Sequence, residues 1–269
     1  MKCVAAIQMA SGPNIDANLN EAARSINSAA KAGAGLIVLP ENFALMANHE
    51  IDNVKNAEQD GEGKIQSFLS EQAKLNSAWI VGGTVPILTD AGDKIRAACI
   101  VYNDKGERVA RYDKIHLFDV ELVDSNEHYT ESKTIEPGDQ VAVVDSPFGK
   151  LGIAICYDLR SPELFRAMLD QGAEIFVVPS AFTAITGRAH WEVIVRARAI
   201  ENLSFVIAAA QGGYHVSGRE THGDSMIVDP WGNVLDRLPQ GSGFVLAHID
   251  EEKLKSTRRN FPAIEHRKL

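Results

Sequence analysis

The sequence predicts an α/β protein, and three observations carry that prediction. Short, nearly continuous apolar runs recur along the chain, each suited to a strand buried on both faces. Between them lie segments whose apolar residues repeat at helical spacing. The order of elements is then repeated, Leu36-Ile37-Val38-Leu39-Pro40 in the first half being echoed by Ile175-Phe176-Val177-Val178-Pro179 in the second. Apolar strands alternating with helices imply sheet covered by helix. Periodicity leaves open whether there is one sheet or two.

The first strand is read at residues 4–9, and Leu19, Ala22, Ala23, Ile26, Ala29 and Ala30 then share a helical face until Gly33 can end it. A strand at 36–39 runs into Pro40-Glu41, a helix surrounds Ile65, Phe68 and Leu69, and a strand follows at 79–84. Residues 97–102 and 108–112 flank Asn103-Asp104-Lys105-Gly106, whose turn chemistry predicts a hairpin. The second half gives a strand at 151–155, a helix at 162–169, a strand at 175–178, a helix at 190–202 and a strand at 205–210. Two short strands, 226–228 and 234–236, then enclose the turn Asp229-Pro230-Trp231-Gly232-Asn233. No low-complexity linker interrupts this order, so residues 1–269 are read as one domain.

Composition narrows the function. With 269 residues, 45% hydrophobic and 23% charged, the chain can bury a large core and lacks the signature of disorder. A net charge of -9 argues against broad attraction to nucleic acid or anionic lipid. The longest apolar runs, such as 205–210, fall far short of the roughly 18–20 residues that span a bilayer. Gln8 interrupts the apolar start, which reads as a buried strand rather than a signal peptide. Cys3, Cys99 and Cys156 are odd in number and show neither Cys-x-x-Cys nor zinc spacing, which implies a reducing cytoplasm.

In α/β sheets ligands gather beyond the carboxyl ends of strands, and three chemically capable residues fall there: Glu41, Lys114 and Cys156. Taken singly, each has an ordinary reading: a loop acid, a strand-end lysine and a core thiol. Taken together they supply what one acyl transfer needs. A thiol attacks as thiolate, a carboxylate can take its proton, and an ammonium favours the anion.

Three motifs in order, Leu39-Pro40-Glu41, Tyr112-Asp113-Lys114-Ile115-His116-Leu117 and Gly152-Ile153-Ala154-Ile155-Cys156-Tyr157-Asp158-Leu159-Arg160, resemble those of the carbon-nitrogen hydrolase, or nitrilase, superfamily. Pro162-Glu163-Leu164 and Ala189-His190-Trp191-Glu192 extend the likeness along the chain. The resemblance implies a four-layer α-β-β-α sandwich of two stacked mixed sheets. It also implies a second glutamate, matched by Glu131 in Tyr129-Thr130-Glu131-Ser132-Lys133 ahead of Glu121 and Glu127. The stretch from Pro179 to Gly187 and Ser225-Met226-Ile227-Val228-Asp229-Pro230-Trp231-Gly232 look most like the branch hydrolysing deaminated glutathione. Asp224 stands where that branch has histidine, and Ser161 where an aromatic precedes the Pro-Glu-Leu triplet. An ω-amidase acting on 2-oxoglutaramate is the nearest rival, ahead of an N-carbamoyl amino acid amidohydrolase or a nitrilase.

The implied mechanism has Glu41 deprotonate Cys156, the thiolate attack an amide carbonyl, and Lys114 with the Tyr157 backbone N–H hold the oxyanion. Ammonia leaves, water hydrolyses the thioester, and Glu131 orients Lys114 or the amide. No cofactor and no metal is required. Arg160, Phe182, Thr183 and Arg188 are the candidate substrate contacts, Arg188 because an acidic protein acting on an anion needs a local cation.

Several features have plainer readings. His116, His190 and His222 carry no protease-type signature, and His215 and His222 lack a ligand spacing. Asp60-Gly61-Glu62-Gly63-Lys64 lacks the P-loop spacing and reads as a loop before a helix. Residues 251–269 carry six basic and three acidic residues, and the resemblance places such tails at a subunit interface, implying a homodimer or higher homo-oligomer. The non-enzyme alternative is a catalytically silent binding module that kept the fold.

Overall fold

The computed structural model describes residues 2–122 and 127–268. The first half runs β1 (Lys2–Gln8), α1 (Ile15–Lys31), β2 (Leu36–Val38), α2 (Glu50–Lys55), α3 (Lys64–Asn76), β3 (Trp79–Val81), β4 (Val85–Leu88), β5 (Ile95–Tyr102) and β6 (Arg108–Asp113). A hairpin of β7 (Asp119–Leu122) and β8 (Glu127–Thr130) leads into β9 (Val143–Ser146) and β10 (Gly149–Ile153). After a 3-10 turn, Cys156–Arg160, come α4 (Pro162–Asp170), β11 (Ile175–Ser180), α5 (Ala184–Asn202) and β12 (Phe205–Ala210). The chain closes with β13 (Gly212–Tyr214), β14 (Glu220–His222), β15 (Ser225–Val228), β16 (Val234–Leu238), β17 (Gly243–Ile249) and α6 (Glu251–Asn260).

These strands form two mixed sheets. One has the order β17-β1-β2-β3-β5-β4 with β6 also on β5, and the other β16-β15-β12-β11-β10-β9. Each has a parallel centre, β1-β2-β3 and β10-β11-β12, flanked by antiparallel strands, so the sequence echo between the halves is an architectural repeat.

Alternation along the strands explains the layers. In β1, Val4 and Ala6 join the core shared with the second sheet, whereas Ala5 and Ile7 join the core shared with α1 and α3. Leu36 and Val38 against Ile37 repeat the division in β2. Both faces are therefore dry, which is why the strands read as unbroken apolar runs. β1 lies against β12 and β15, and β2 against β11 and β12, so the sheets stack face to face. α1 and α3 cover one outer face through Leu19, Ile26, Ile65 and Leu69; α4 and α5 supply Phe165, Met168, Trp191 and Val195 to the other core. This is the α-β-β-α sandwich.

Several boundaries differ from the sequence reading for local reasons. The strand read at 79–84 ends at Val81, because Gly83 turns the chain at φ +56 where a Cβ would collide with the Pro40 carbonyl. The helix read at 190–202 begins at Ala184, capped by Thr183, whose Oγ1 accepts from the Thr186 N–H at 3.3 Å. Strand β17 and the β7-β8 hairpin have no counterpart in the sequence reading. No helix among the described residues is long and apolar enough to cross a membrane.

Candidate active site

Glu41, Lys114 and Cys156 each leave the carboxyl end of a strand, β2, β6 and β10, and the fold brings them together with Glu131. Lys114 is 1% exposed, and its Nζ donates to Glu41 Oε1 at 2.8 Å and to Glu131 Oε1 and Oε2 at 3.0 and 2.8 Å. Glu131 Oε2 also accepts from the Phe118 N–H at 2.8 Å. Burial works against the ammonium, but Glu131, Glu41 and Cys156 outweigh it and hold the Lys114 pKa well above its ordinary value. Lys114 is therefore a fixed cation. Glu121 is exposed in β7, and Glu127 accepts from the Tyr129 hydroxyl at 2.8 Å.

Cys156 sits in the left-handed region at φ +47, a conformation that costs a non-glycine residue on the order of 1–3 kcal/mol and persists only where its surroundings enforce it. Asp158 does the enforcing. Fully buried, it accepts from the Ile155 N–H at 2.8 Å, the Tyr112 hydroxyl at 2.7 Å and the His116 N–H at 3.0 Å, and His116 Nδ1 lies 2.7 Å away. The turn bearing Cys156 is thus tied to both sides of Lys114. Burial, and then Glu41, push the thiol pKa well above its ordinary value, with Lys114 and the Ala181 N–H acting in the opposite direction.

The loop behind Glu41 is equally constrained. Gln211 Nε2 donates to the Glu41 carbonyl at 3.0 Å and to Ser11 Oγ at 2.8 Å, and the Asn42 N–H donates to Thr84 Oγ1 at 2.8 Å. Gln211 follows β12, so both sheets hold the site.

A narrow pocket opens on Cys156, and Tyr157, Arg160, Phe182 and Thr183 line it. Arg188 does not. It lies exposed on α5, in a neighbouring cleft with Glu192, Glu220 and Arg237. The pocket's second guanidinium belongs instead to Arg219, which the sequence reading missed. It lies just ahead of β14, a position with no motif around it, and only the clamp of β14 onto the loop after β11 brings it there: the His222 N–H donates to the Phe182 carbonyl at 2.9 Å, and Thr183 bridges Thr221.

The two departures from the expected motifs lie outside this pocket. Asp224 is buried and accepts from Arg237 Nε and Nη2 at 2.9 and 2.6 Å, and Ser161 sits at the cap position of α4. His215 is engaged by the Ser11 carbonyl at 2.8 Å and Thr221 Oγ1 at 2.7 Å. Among the described residues no three His, Cys, Asp or Glu side chains gather in a way that would hold a metal ion.

The carbon-nitrogen hydrolase family model matches residues 3–259. A deaminated glutathione amidase of Yersinia enterocolitica is 41% identical over 267 residues, covering 99% of this chain and 93% of that protein. The Homo sapiens deaminated glutathione amidase is 41% identical over 269 residues, covering 98% of this chain and 82% of that one. The crystal structure of the C. elegans NitFhit protein superimposes with a TM-score of 0.92 at 32% identity over 99% of this chain, which spans 65% of that longer protein. A family match across nearly the whole chain, with relatives at this identity, places the protein in the carbon-nitrogen hydrolase family.

Proposed function

We propose that the protein is a cysteine amidase that hydrolyses a small linear amide, deaminated glutathione, with Cys156 as nucleophile. The observation that carries this reading is the Lys114 ammonium held between Glu41 and Glu131 beside a buried thiol. Similarity to proteins named deaminated glutathione amidase supports the choice of substrate.

The proposed chemistry begins from the neutral thiol. Cys156 gives its proton to Glu41 as its sulfur bonds to the amide carbon, so a thiolate never has to exist unpaired in the buried site. The oxyanion that develops is met by Lys114, already charged, and by the backbone N–H of Tyr157 in the first turn after Cys156, where helical N–H groups lack internal acceptors. The C–N bond then breaks, and the leaving nitrogen takes the proton from Glu41. Water gives a proton to the same carboxylate and attacks the thioester, the C–S bond breaks, and the thiol recovers its proton. Glu131 keeps Lys114 aligned throughout. A primary amide would release ammonia, whereas deaminated glutathione would release cysteinylglycine, so ammonia is not the product to follow for this substrate.

The test is release of 2-oxoglutarate and cysteinylglycine from deaminated glutathione by the purified protein and by Cys156→Ala. Turnover that Cys156→Ala abolishes supports the reading; turnover of 2-oxoglutaramate alone would favour an ω-amidase; no turnover of any linear amide would favour a silent binding module.

A homodimer belongs to the same reading. Val193 and Ile200, seven residues apart on α5, are exposed, as are Trp231 and Phe261, whose rings meet at 5.4 Å. Arg258 of α6 donates to the Leu203 and Ala173 carbonyls of its own chain, which fixes the basic tail beside that surface. Light scattering showing a monomer at micromolar concentration would reject the dimer. Three unpaired cysteines support a cytoplasmic location.

A further inference from the structure

Two guanidinium groups line the Cys156 pocket, and the proposed bond-breaking steps use neither. Arg160 is occupied within the protein: it lies over the Phe182 and Tyr157 rings at 5.2 and 5.6 Å, with Nη1 3.3 Å from His190 Nδ1. Arg219 differs. Its Nη2 donates to the Ala181 carbonyl at 2.6 Å and its plane lies 5.1 Å from the Tyr129 ring centre, yet its Nε is shielded from solvent and has no hydrogen-bond partner. It is the only such side-chain atom among the described residues. An unsatisfied buried donor costs about 1–3 kcal/mol, more on a charged group, and where one persists at a pocket wall it marks a place for an acceptor.

Geometry and charge point to the same acceptor. Ala181 touches both groups: its N–H faces the Cys156 sulfur, and its carbonyl accepts from Arg219. The guanidinium therefore stands one residue's span from the nucleophile, within reach of a short substrate. Within the site, Lys114, Arg160 and Arg219 oppose Glu41 and Glu131, a local charge of +1 in a chain of net charge -9. A cationic pocket in an acidic protein concentrates an anion. A guanidinium fixed by a carbonyl and an aromatic face suits a carboxylate, which it can meet with parallel N–H donors.

We propose that Arg219 binds the carboxylate of the amide substrate and so selects anionic over neutral amides. This rests on the amidase reading and adds the residue that sets its substrate class.

The experiment compares kcat/KM, by ammonia release, for the monoamide of glutaric acid and for valeramide, in which a methyl group replaces the carboxylate. Wild-type protein should prefer the anionic amide. Arg219→Gln should lower the anionic-to-neutral ratio at least 30-fold, chiefly through KM for the anionic amide, with a melting temperature within about 3 °C of wild type; Arg219→Lys should restore part of the preference. A ratio within threefold of wild type in Arg219→Gln, or a loss of preference confined to Arg160→Gln, overturns the proposal. A second arm needs no turnover: glutarate binding to Cys156→Ala, followed by calorimetry, should weaken at least 30-fold when Arg219→Gln is added. Equal affinity, or no glutarate binding to Cys156→Ala at all, overturns the proposal. Wild-type protein that releases ammonia from neither primary amide leaves the amidase reading to the deaminated glutathione assay, and the glutarate arm then decides the role of Arg219.

Discussion

The Tyr112 hydroxyl donates to Asp158 Oδ2 at 2.7 Å across 46 residues of sequence, joining the strand that runs into Lys114 to the turn that carries Cys156. Both residues are buried, and burial together with the Asp158 carboxylate pushes the Tyr112 pKa far upward, so the phenol stays a donor at every working pH. The cation and the nucleophile are thereby held in one frame by a residue that touches neither.

Tyr112→Phe should remove that bond while keeping the ring. A hydrogen bond to a charged acceptor contributes about 1.5–3 kcal/mol, and for a chain of this size that corresponds to a fall in Tm of about 3–12 °C. Asp158 keeps its other donors, so turnover should fall about tenfold or less. Thermal melts and steady-state kinetics on the variant check both; an unchanged Tm would mean the bond carries no stability.

Cys156→Ala should fold and lose all measurable amide hydrolysis. An electrophile that traps the intermediate should label Cys156 and leave Cys99 unmodified, since Cys99 is fully buried and burial drives its thiol pKa far up. Peptide mass spectrometry reads the site of the adduct. Label on Cys99, or a tenth of wild-type activity in the variant, would remove the assignment.

Glu131→Gln should lower kcat by 100-fold or more, roughly 2.7 kcal/mol, with a smaller change in KM. The amide cannot supply the second negative charge that now fixes Lys114 at 2.8 and 3.0 Å. Glu127→Gln and Glu121→Gln should stay within about threefold of wild type, because neither carboxylate pairs with Lys114. A reversed pattern would transfer the role to another glutamate.

The His116–Asp158 pair should give the fold a pH dependence of known sign. The hydrogen bond to Asp158 raises the His116 pKa despite partial burial. The protonated form is thus favoured in the native state, and the stability it adds is full below the unfolded histidine value of about 6.5 and is lost as pH rises through the higher folded value. His215 and His222 are shifted down by burial and act in the opposite window, costing stability as pH falls below about 6.5. The Tm difference between wild type and His116→Gln isolates the first effect: it should be largest near pH 6 and shrink toward alkaline pH. A difference independent of pH would show that His116 contributes by packing alone.

Much of this protein is written locally. The strands 36–39 and 175–178 are legible because a strand dry on both faces must be apolar at every position, and the strand read at 205–210 matches β12 residue for residue. Glu41, Lys114 and Cys156 stand in short motifs beyond strand ends, so type and spacing locate them before any fold is known. Other elements carry no such signal. β17 alternates polar and apolar residues weakly and becomes a strand by pairing with β1, more than two hundred residues earlier. The start of α5 hides in Thr183-Ala184-Ile185-Thr186-Gly187, where β-branched residues and a glycine argue against helix until Thr183 caps it.

What the sequence by itself determined is the α/β class, the repeated halves and the chemistry of the three motifs, because each depends on neighbours a few residues away. Which arginines line the Cys156 pocket was decided only by tertiary structure. Arg188 and Arg219 are indistinguishable as residue types; the first lines a neighbouring cleft, and the clamp of β14 on the loop after β11 brings the second to the pocket, since the packing of distant segments, not local spacing, fixes where a long cationic side chain ends.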